Sequence, residues 1–256
     1  MLQSRIVSVT LAITFLIPIS LSSSNAKILF RDDFEADTIG KPPANWEHLG
    51  PPKGYAGGGM SVIEEDPLDP GNKVFSLIPK AFDNNSHDVW AVHAGDKSWT
   101  NYVWEFDWLF PEDTYCPVVF RVLSPDELCQ VSRRPGRSEF HIYVRDPQQQ
   151  WNSFAIYEFP NEESKWYRMR IIVTDVDLEF KIKERDDKTA FEEIEEPDLL
   201  EKQAVAELFP NGGIGAQEGY TGMIDNVVVG ETVADILAVQ PMGKVAACWG
   251  MLKDLR

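Results

Sequence analysis

Gly212-Gly-Ile-Gly-Ala-Gln-Glu-Gly-Tyr-Thr-Gly-Met-Ile-Asp-Asn-Val-Val-Val-Gly230 is the stretch that decides how this chain is read. Two apolar runs, Ile214 to Ala216 and Met223 to Val229, flank a tip rich in Gly and Thr. β-Branched residues bracketed by glycines, which reach positive φ without steric cost, predict a hairpin-like pair of strands. The second run ends the regular part of the chain. Its expected partner is the opening stretch Ile28-Leu-Phe-Arg-Asp-Asp-Phe34, which alternates apolar and polar residues with period two. A first strand beside a last strand closes a sheet and protects its edges. The residues between them are then the body of a β-sandwich.

Alternation within that body supports the reading. Tyr102-Val-Trp-Glu-Phe-Asp-Trp-Leu-Phe110 places Tyr102, Trp104, Phe106, Trp108 and Phe110 on one side, with Val103, Glu105, Asp107 and Leu109 on the other. Val118, Phe120 and Val122 form an apolar side with Arg121 opposite. From Glu139 to Arg145, Phe140, Ile142 and Val144 point inward, and Glu139, His141, Tyr143 and Arg145 outward. Tyr167 to Val173 and Leu178 to Lys183 repeat the pattern, and shorter strand-like runs occur at Ser61 to Glu64 and Lys73 to Ile78. Strands that each bury one face predict an all-β fold, a two-sheet antiparallel jelly-roll sandwich. Prolines and glycines between Thr38 and Gly59 are turn punctuation. The acidic stretch Asp186 to Phe209, cut by Pro197, is expected to be a loop with a short surface helix capped by Asp198. After Gly230 comes a tail whose Lys244 to Leu255 portion either docks as a short helix or stays a free end.

Arg31-Asp-Asp-Phe-Glu35, Gly40-Lys-Pro-Pro-Ala-Asn-Trp46, Gly213-Ile-Gly-Ala-Gln217 and Ile224-Asp-Asn-Val-Val-Val229 together resemble the concanavalin A-like jelly rolls. Within that group they are similar to laminin-G-like modules and 3-keto-disaccharide hydrolase domains of secreted bacterial proteins. Val118-Val-Phe-Arg121 and Trp166-Tyr-Arg-Met-Arg170 match more loosely. The resemblance covers about residues 28–230 and implies the sandwich. It does not choose an activity, because this fold hosts lectins, lyases, hydrolases and adhesion modules.

The chain has 256 residues, 43% of them hydrophobic, enough for one substantial core. Residues 1–26 read as a secretory signal: Arg5, an apolar run from Ile6 to Ile19, then the small-residue stretch Ser22-Ser-Ser-Asn-Ala26. The jelly-roll domain is expected over 27–235 and the tail over 236–256, with a secreted, periplasmic or otherwise extracytoplasmic address and no membrane span in the mature chain. A formal charge of −17 repels nucleic acid and anionic lipid and suits cations, neutral sugars or basic partners. In an exported chain Cys116 and Cys129 either pair, leaving Cys248 odd, or all three are unpaired thiols. Asn84-Asn-Ser86 matches a glycosylation acceptor.

Three constellations bear on chemistry. Glu105 and Asp107 invite comparison with glycosidases, but the next position on their face is Leu109, so a third carboxylate is missing and a solvated outer face is the expectation. Arg121, Glu139, His141, Tyr143 and Arg145, with Trp151 near the rim, offer hydrogen bonds and a stacking ring to a sugar or another extracellular ligand. An imidazole beside a phenol and a guanidinium also permits base chemistry, and cross-strand pairing needs no ligand at all. Asp32, Asp33, Asp225 and Asn226 present oxygens suited to a structural calcium ion, or cap turns without one. His48, His87 and His93 are expected in loops, without metal-site spacing. The function this points to is a secreted carbohydrate- or extracellular-ligand-binding jelly roll. Its alternatives are a glycoside hydrolase or lyase and an adhesion or assembly module.

Overall fold

The computed structural model describes residues 26–49, 61–77, 90–145, 151–175, 178–195, 209–218 and 221–239. Fourteen strands are described: β1 (Ile28–Asp32), β2 (Glu47–His48), β3 (Val62–Glu65), β4 (Lys73–Leu77), β5 (Trp90–Ala94), β6 (Tyr102–Leu109), β7 (Cys116–Ser124), β8 (Glu127–Arg133), β9 (Glu139–Arg145), β10 (Trp151–Glu158), β11 (Trp166–Val173), β12 (Leu178–Glu184), β13 (Gly213–Glu218) and β14 (Gly222–Gly230). A 3₁₀ turn covers Phe191–Glu193, and one helix, α1, covers Val233–Val239.

The strands form two antiparallel sheets. The back sheet runs β12-β11-β6-β14-β4-β3, with β1 also pairing β14, and the front sheet runs β10-β9-β8-β7-β13-β5-β2. The closing pair expected from sequence is present: Ile28 faces Gly230 and Asp32 faces Val227. The fold is a two-sheet jelly-roll sandwich.

Period-two burial builds the core between the sheets. Trp104, Phe106 and Trp108 of β6 and Met169 and Ile171 of β11 meet Phe140 and Ile142 of β9 and Ile214 and Ala216 of β13. Trp104 stacks on Phe106 with ring centroids 4.3 Å apart, and Phe110 on Tyr167 at 5.5 Å. A second, smaller apolar cluster lies on the back sheet's outer side, where Ile236 of α1 packs with Val103 and Val228.

Several expectations need correcting. Ile214 to Ala216 and Met223 to Val229 do not pair as a hairpin, because β13 lies in the front sheet and β14 in the back. Parity also breaks in β7. Arg121 sits at φ 53°, the register shifts between Phe120 and Ser124, and Val122 joins Val119 and Leu128 on the outer face instead of entering the core. One extra residue in one strand is a β-bulge, and it reverses every side chain beyond it. Gly212, at φ +146°, accommodates this bulge, since a Cβ there would come within 2.3 Å of the Arg121 carbonyl carbon. Cys116 and Cys129 are free and buried, opposite Arg133 and Phe120 respectively, so they do not form a disulfide. The helix expected over 198–208, Cys248, the Asn84-Asn-Ser86 site and the signal stretch lie outside the described residues.

Candidate ligand-binding face

β9 projects Glu139, His141 and Tyr143 outward from the front sheet while Phe140, Ile142 and Val144 fill the core. These outward groups form one hydrogen-bonded rail. Arg134 Nη1 donates to the Tyr143 hydroxyl at 3.0 Å, the hydroxyl meets His141 Nδ1 at 3.1 Å, and His141 Nε2 meets Glu139 Oε1 at 2.9 Å. A hydroxyl that accepts from arginine has its own proton to donate, so Nδ1 accepts and Nε2–H donates to the carboxylate. Arg137 closes the far end at 3.1 Å from the same Glu139 oxygen. The His141 hydrogen bond, then that of Arg137, hold the Glu139 carboxyl below its usual range. Burial pushes the Tyr143 phenol up, so it stays protonated at neutral pH.

Across the strands the register sets a row of residues on the same face: Tyr143 opposite Gln130, Gln130 opposite Val119, Val119 opposite Gly215, Gly215 opposite His93, and His93 opposite Glu47. Ser132 faces His141 in the neighbouring row. Three side chains on this face each leave a polar atom without a partner: Gln130 Oε1, His93 Nε2 and Gln217 Nε2. Their residues are only 7%, 4% and 2% exposed. An unmatched buried polar atom costs about 1–3 kcal/mol, and others occur elsewhere in the described residues, Trp104 Nε1 in the core among them. Val119, Val122 and Leu128, all fully buried, form an apolar cluster between them with Leu49 packed against it. Burial lowers the His93 pKa, leaving a neutral ring.

The residues expected to share one ligand face separate into groups. Glu139, His141 and Tyr143 are together. Arg145 lies on the same strand face, fully buried, and donates to Asp126 Oδ1 at 3.1 Å. The Trp151 backbone stands opposite Arg145, and its side chain is outside the described residues. Arg121 does not join them. The bulge turns its guanidinium to the carbonyls of Pro210 and, at 3.0 Å, Thr174. Gln130, Gln217 and His93 were missed, although Gln130 alternates with Cys129 and Val131, and Gln217 with Ala216 and Ile214. Parity alone marks them as outward. His93 lies in β5, not in a loop.

The back sheet's outer face is not solvated as expected. Glu105 and Asp107 are 2% and 0% exposed. Arg170 Nε donates to Glu105 at 2.6 Å, and Arg168 grips both Asp107 oxygens at 2.7 and 3.0 Å. Asn226 Nδ2 adds a bond to Asp107 at 2.9 Å. Asp225 faces Asp107 across the strands and accepts from Asn72 at 3.0 Å; burial, the main cause, raises its pKa to about 7. The four residues considered for calcium do not converge. Asp32 accepts from Phe34 N and from Trp46 Nε1 in the core, Asp33 accepts from Glu35 N, and Asp225 and Asn226 belong to the outer network. Among the described residues no group of three or more His, Cys, Asp or Glu is placed to hold a metal ion. No described helix is long and apolar enough to cross a membrane.

No protein-family model matches the chain, and no curated protein matches it. Solved structures are similar in fold. One comes from work on endo-acting O-glycanases by which prominent members of the human gut microbiota initiate mucin breakdown; the TM-score is 0.50 at 15% identity, covering 79% of this chain and 98% of that one. Carbohydrate binding module CBM66 from Bacillus subtilis gives 0.47 at 12% identity, covering 73% and 95%. A Bacillus subtilis protein with a galectin-like fold gives 0.48 at 12%, covering 81% and 97%. The likeness is one of fold, a two-sheet antiparallel jelly roll.

Proposed function

We propose that this chain is an exported carbohydrate-binding jelly roll that takes a neutral saccharide on the outer face of the front sheet. One observation carries the reading: the hydrogen-bonded rail from Arg134 through Tyr143 and His141 to Glu139 is partly exposed along β9 at Arg134, Tyr143 and Glu139. Phenol, imidazole and carboxamide groups match hydroxyls, which both donate and accept. A chain of formal charge −17 disfavours polyanions, so a neutral sugar fits better than an acidic one.

The glycosidase alternative loses its strongest carboxylates, because Glu105 and Asp107 are each locked to an arginine beneath the surface. A glycan microarray run beside a reducing-sugar release assay separates the readings. Binding to neutral oligosaccharides without turnover is expected. Silence across the array overturns the proposal, and turnover returns the hydrolase.

A further inference from the structure

We propose that the ligand face reads one sugar ring, held between Arg134 and Ile156. The Arg134 guanidinium takes two adjacent ring hydroxyls and so sets specificity, and Ile156 carries the ring's C–H face. The inference rests on the carbohydrate reading of this face and adds the recognition unit and the residue that selects it.

Arg134 is held in place without an acid. Its neighbours each have one: Arg133 pairs with Asp113 at 2.8 Å, Arg137 with Glu139 at 3.1 Å and Arg145 with Asp126 at 3.1 Å. Among the described residues Arg134 instead has the Tyr143 hydroxyl at 3.0 Å and the Tyr115 ring, whose centroid is 5.0 Å from the guanidinium carbon. Carboxylates are not scarce in a chain with 41 acidic residues against 24 Lys and Arg. The hydrogen bond to Tyr143 uses Nη1, and the rest of the planar fork of N–H donors is left for a ligand. Stacking on Tyr115 orients that fork before the ligand arrives, which lowers the cost of binding. Two adjacent hydroxyl oxygens of a pyranose accept from such a fork without carrying charge.

Ile156 supplies the opposite wall. It is 53% exposed and faces His141 in the β9–β10 register, so both project from the outer side of the front sheet. A lone exposed apolar side chain is ordinary on a protein surface. This one has Ser153, opposite Tyr143, and Glu158, opposite Glu139, exposed on either side of it along β10. An apolar patch bordered by polar groups matches a pyranose, whose C–H face is bordered by hydroxyls.

Burial limits the unit to one ring. Past β8 the same face is closed, with Gln130 7% exposed and Val119 fully buried. Arg134 continues the β8 ladder, its N–H donating to the Glu139 carbonyl at 3.1 Å. β8 and β10 are two strand spacings apart, which at about 4.8 Å each is about 10 Å, the width of one pyranose ring with its hydroxyls.

The test is an array of neutral oligosaccharides, from disaccharide to hexasaccharide, probed with the wild type, Arg134→Lys and Ile156→Gln. Lysine keeps the charge and loses the fork, and glutamine keeps the length and loses the apolar surface. Neither side chain is buried, so both variants should melt with the wild type. Wild-type hits are expected to share one sugar unit whatever their length. Calorimetric affinities for the disaccharide and hexasaccharide of the strongest series should agree within about threefold, and each variant should bind that series about tenfold more weakly. Variants that bind as the wild type does overturn the inference and leave the carbohydrate reading standing. A wild-type affinity that climbs about tenfold or more with length does the same. An array without a hit removes both.

Discussion

The backbone N–H of Arg121 donates to the hydroxyl of Tyr102 at 3.0 Å, joining a bulge in the front sheet to the first residue of the back sheet's central strand. The same hydroxyl reaches the Gly213 carbonyl at 3.4 Å. Both contacts lie at the bulge that sends Val122 to the outer side, so Tyr102 holds the geometry that packs Val122 with Val119 and Leu128. Burial keeps the phenol protonated. Tyr102→Phe leaves the Arg121 N–H buried and unmatched, and should cost about 1–3 kcal/mol in urea unfolding. A midpoint equal to wild type would show that the bulge holds itself.

Asp225 makes stability depend on pH. Its folded pKa, about 7, lies above the ordinary aspartate value of 3.8 because burial outweighs the bonds from Asn72 and Asn226, with Asp107 and Glu35 adding repulsion. Between those two values the unfolded chain has released the proton that the folded chain keeps. This group's contribution therefore falls as pH rises from about 4 to about 7. Asp225→Asn should gain stability relative to wild type over that window, by about 2–4 kcal/mol between pH 4 and pH 8. Parallel stability curves for the two proteins would contradict the assignment.

The Glu105–Arg170 pair, 2.6 Å apart with both side chains at least 95% buried, is a structural lock. Arg170→Met takes the arginine from the buried Glu105 carboxylate and should cost about 3–5 kcal/mol, whereas Glu105→Leu should cost less because Arg170 keeps Glu192 at 2.6 Å. The double substitution should recover most of that loss. Singles within about 1 kcal/mol of wild type would mean that the network is solvated.

Chelation should leave the melting temperature unchanged. Asp32 and Asp225, the carboxylates best placed for calcium on sequence grounds, already accept from Phe34 and Trp46 and from Asn72 and Asn226. A drop of several degrees on adding EDTA would place a cation in a site these contacts do not reveal.

The two sheets could be read in advance because Tyr102 to Phe110 and Glu139 to Arg145 keep strict parity, and parity is all that a half-buried strand needs. The closing pair was readable for the same reason. Arg121 was not: a bulge adds one residue without a composition signal, and arginine has no preference for φ 53° that would announce it. The burial of Glu105 and Asp107 was hidden as well, because their partners Arg170 and Arg168 arrive from β11, more than sixty positions later. On the ligand face, His141 and Tyr143 stood out by chemistry. Gln130 and Gln217 are ordinary amides; parity marks them as outward, but their burial comes from neighbours distant in sequence.

An amide-resolved NMR titration of the mature chain with its best neutral oligosaccharide tests the ligand face most directly. Shifts should concentrate at Gln130, Ser132, His141 and Tyr143 on β8 and β9, while Glu105, Asp107 and Asp225 stay still. Shifts centred on the back sheet's outer face would contradict the assignment.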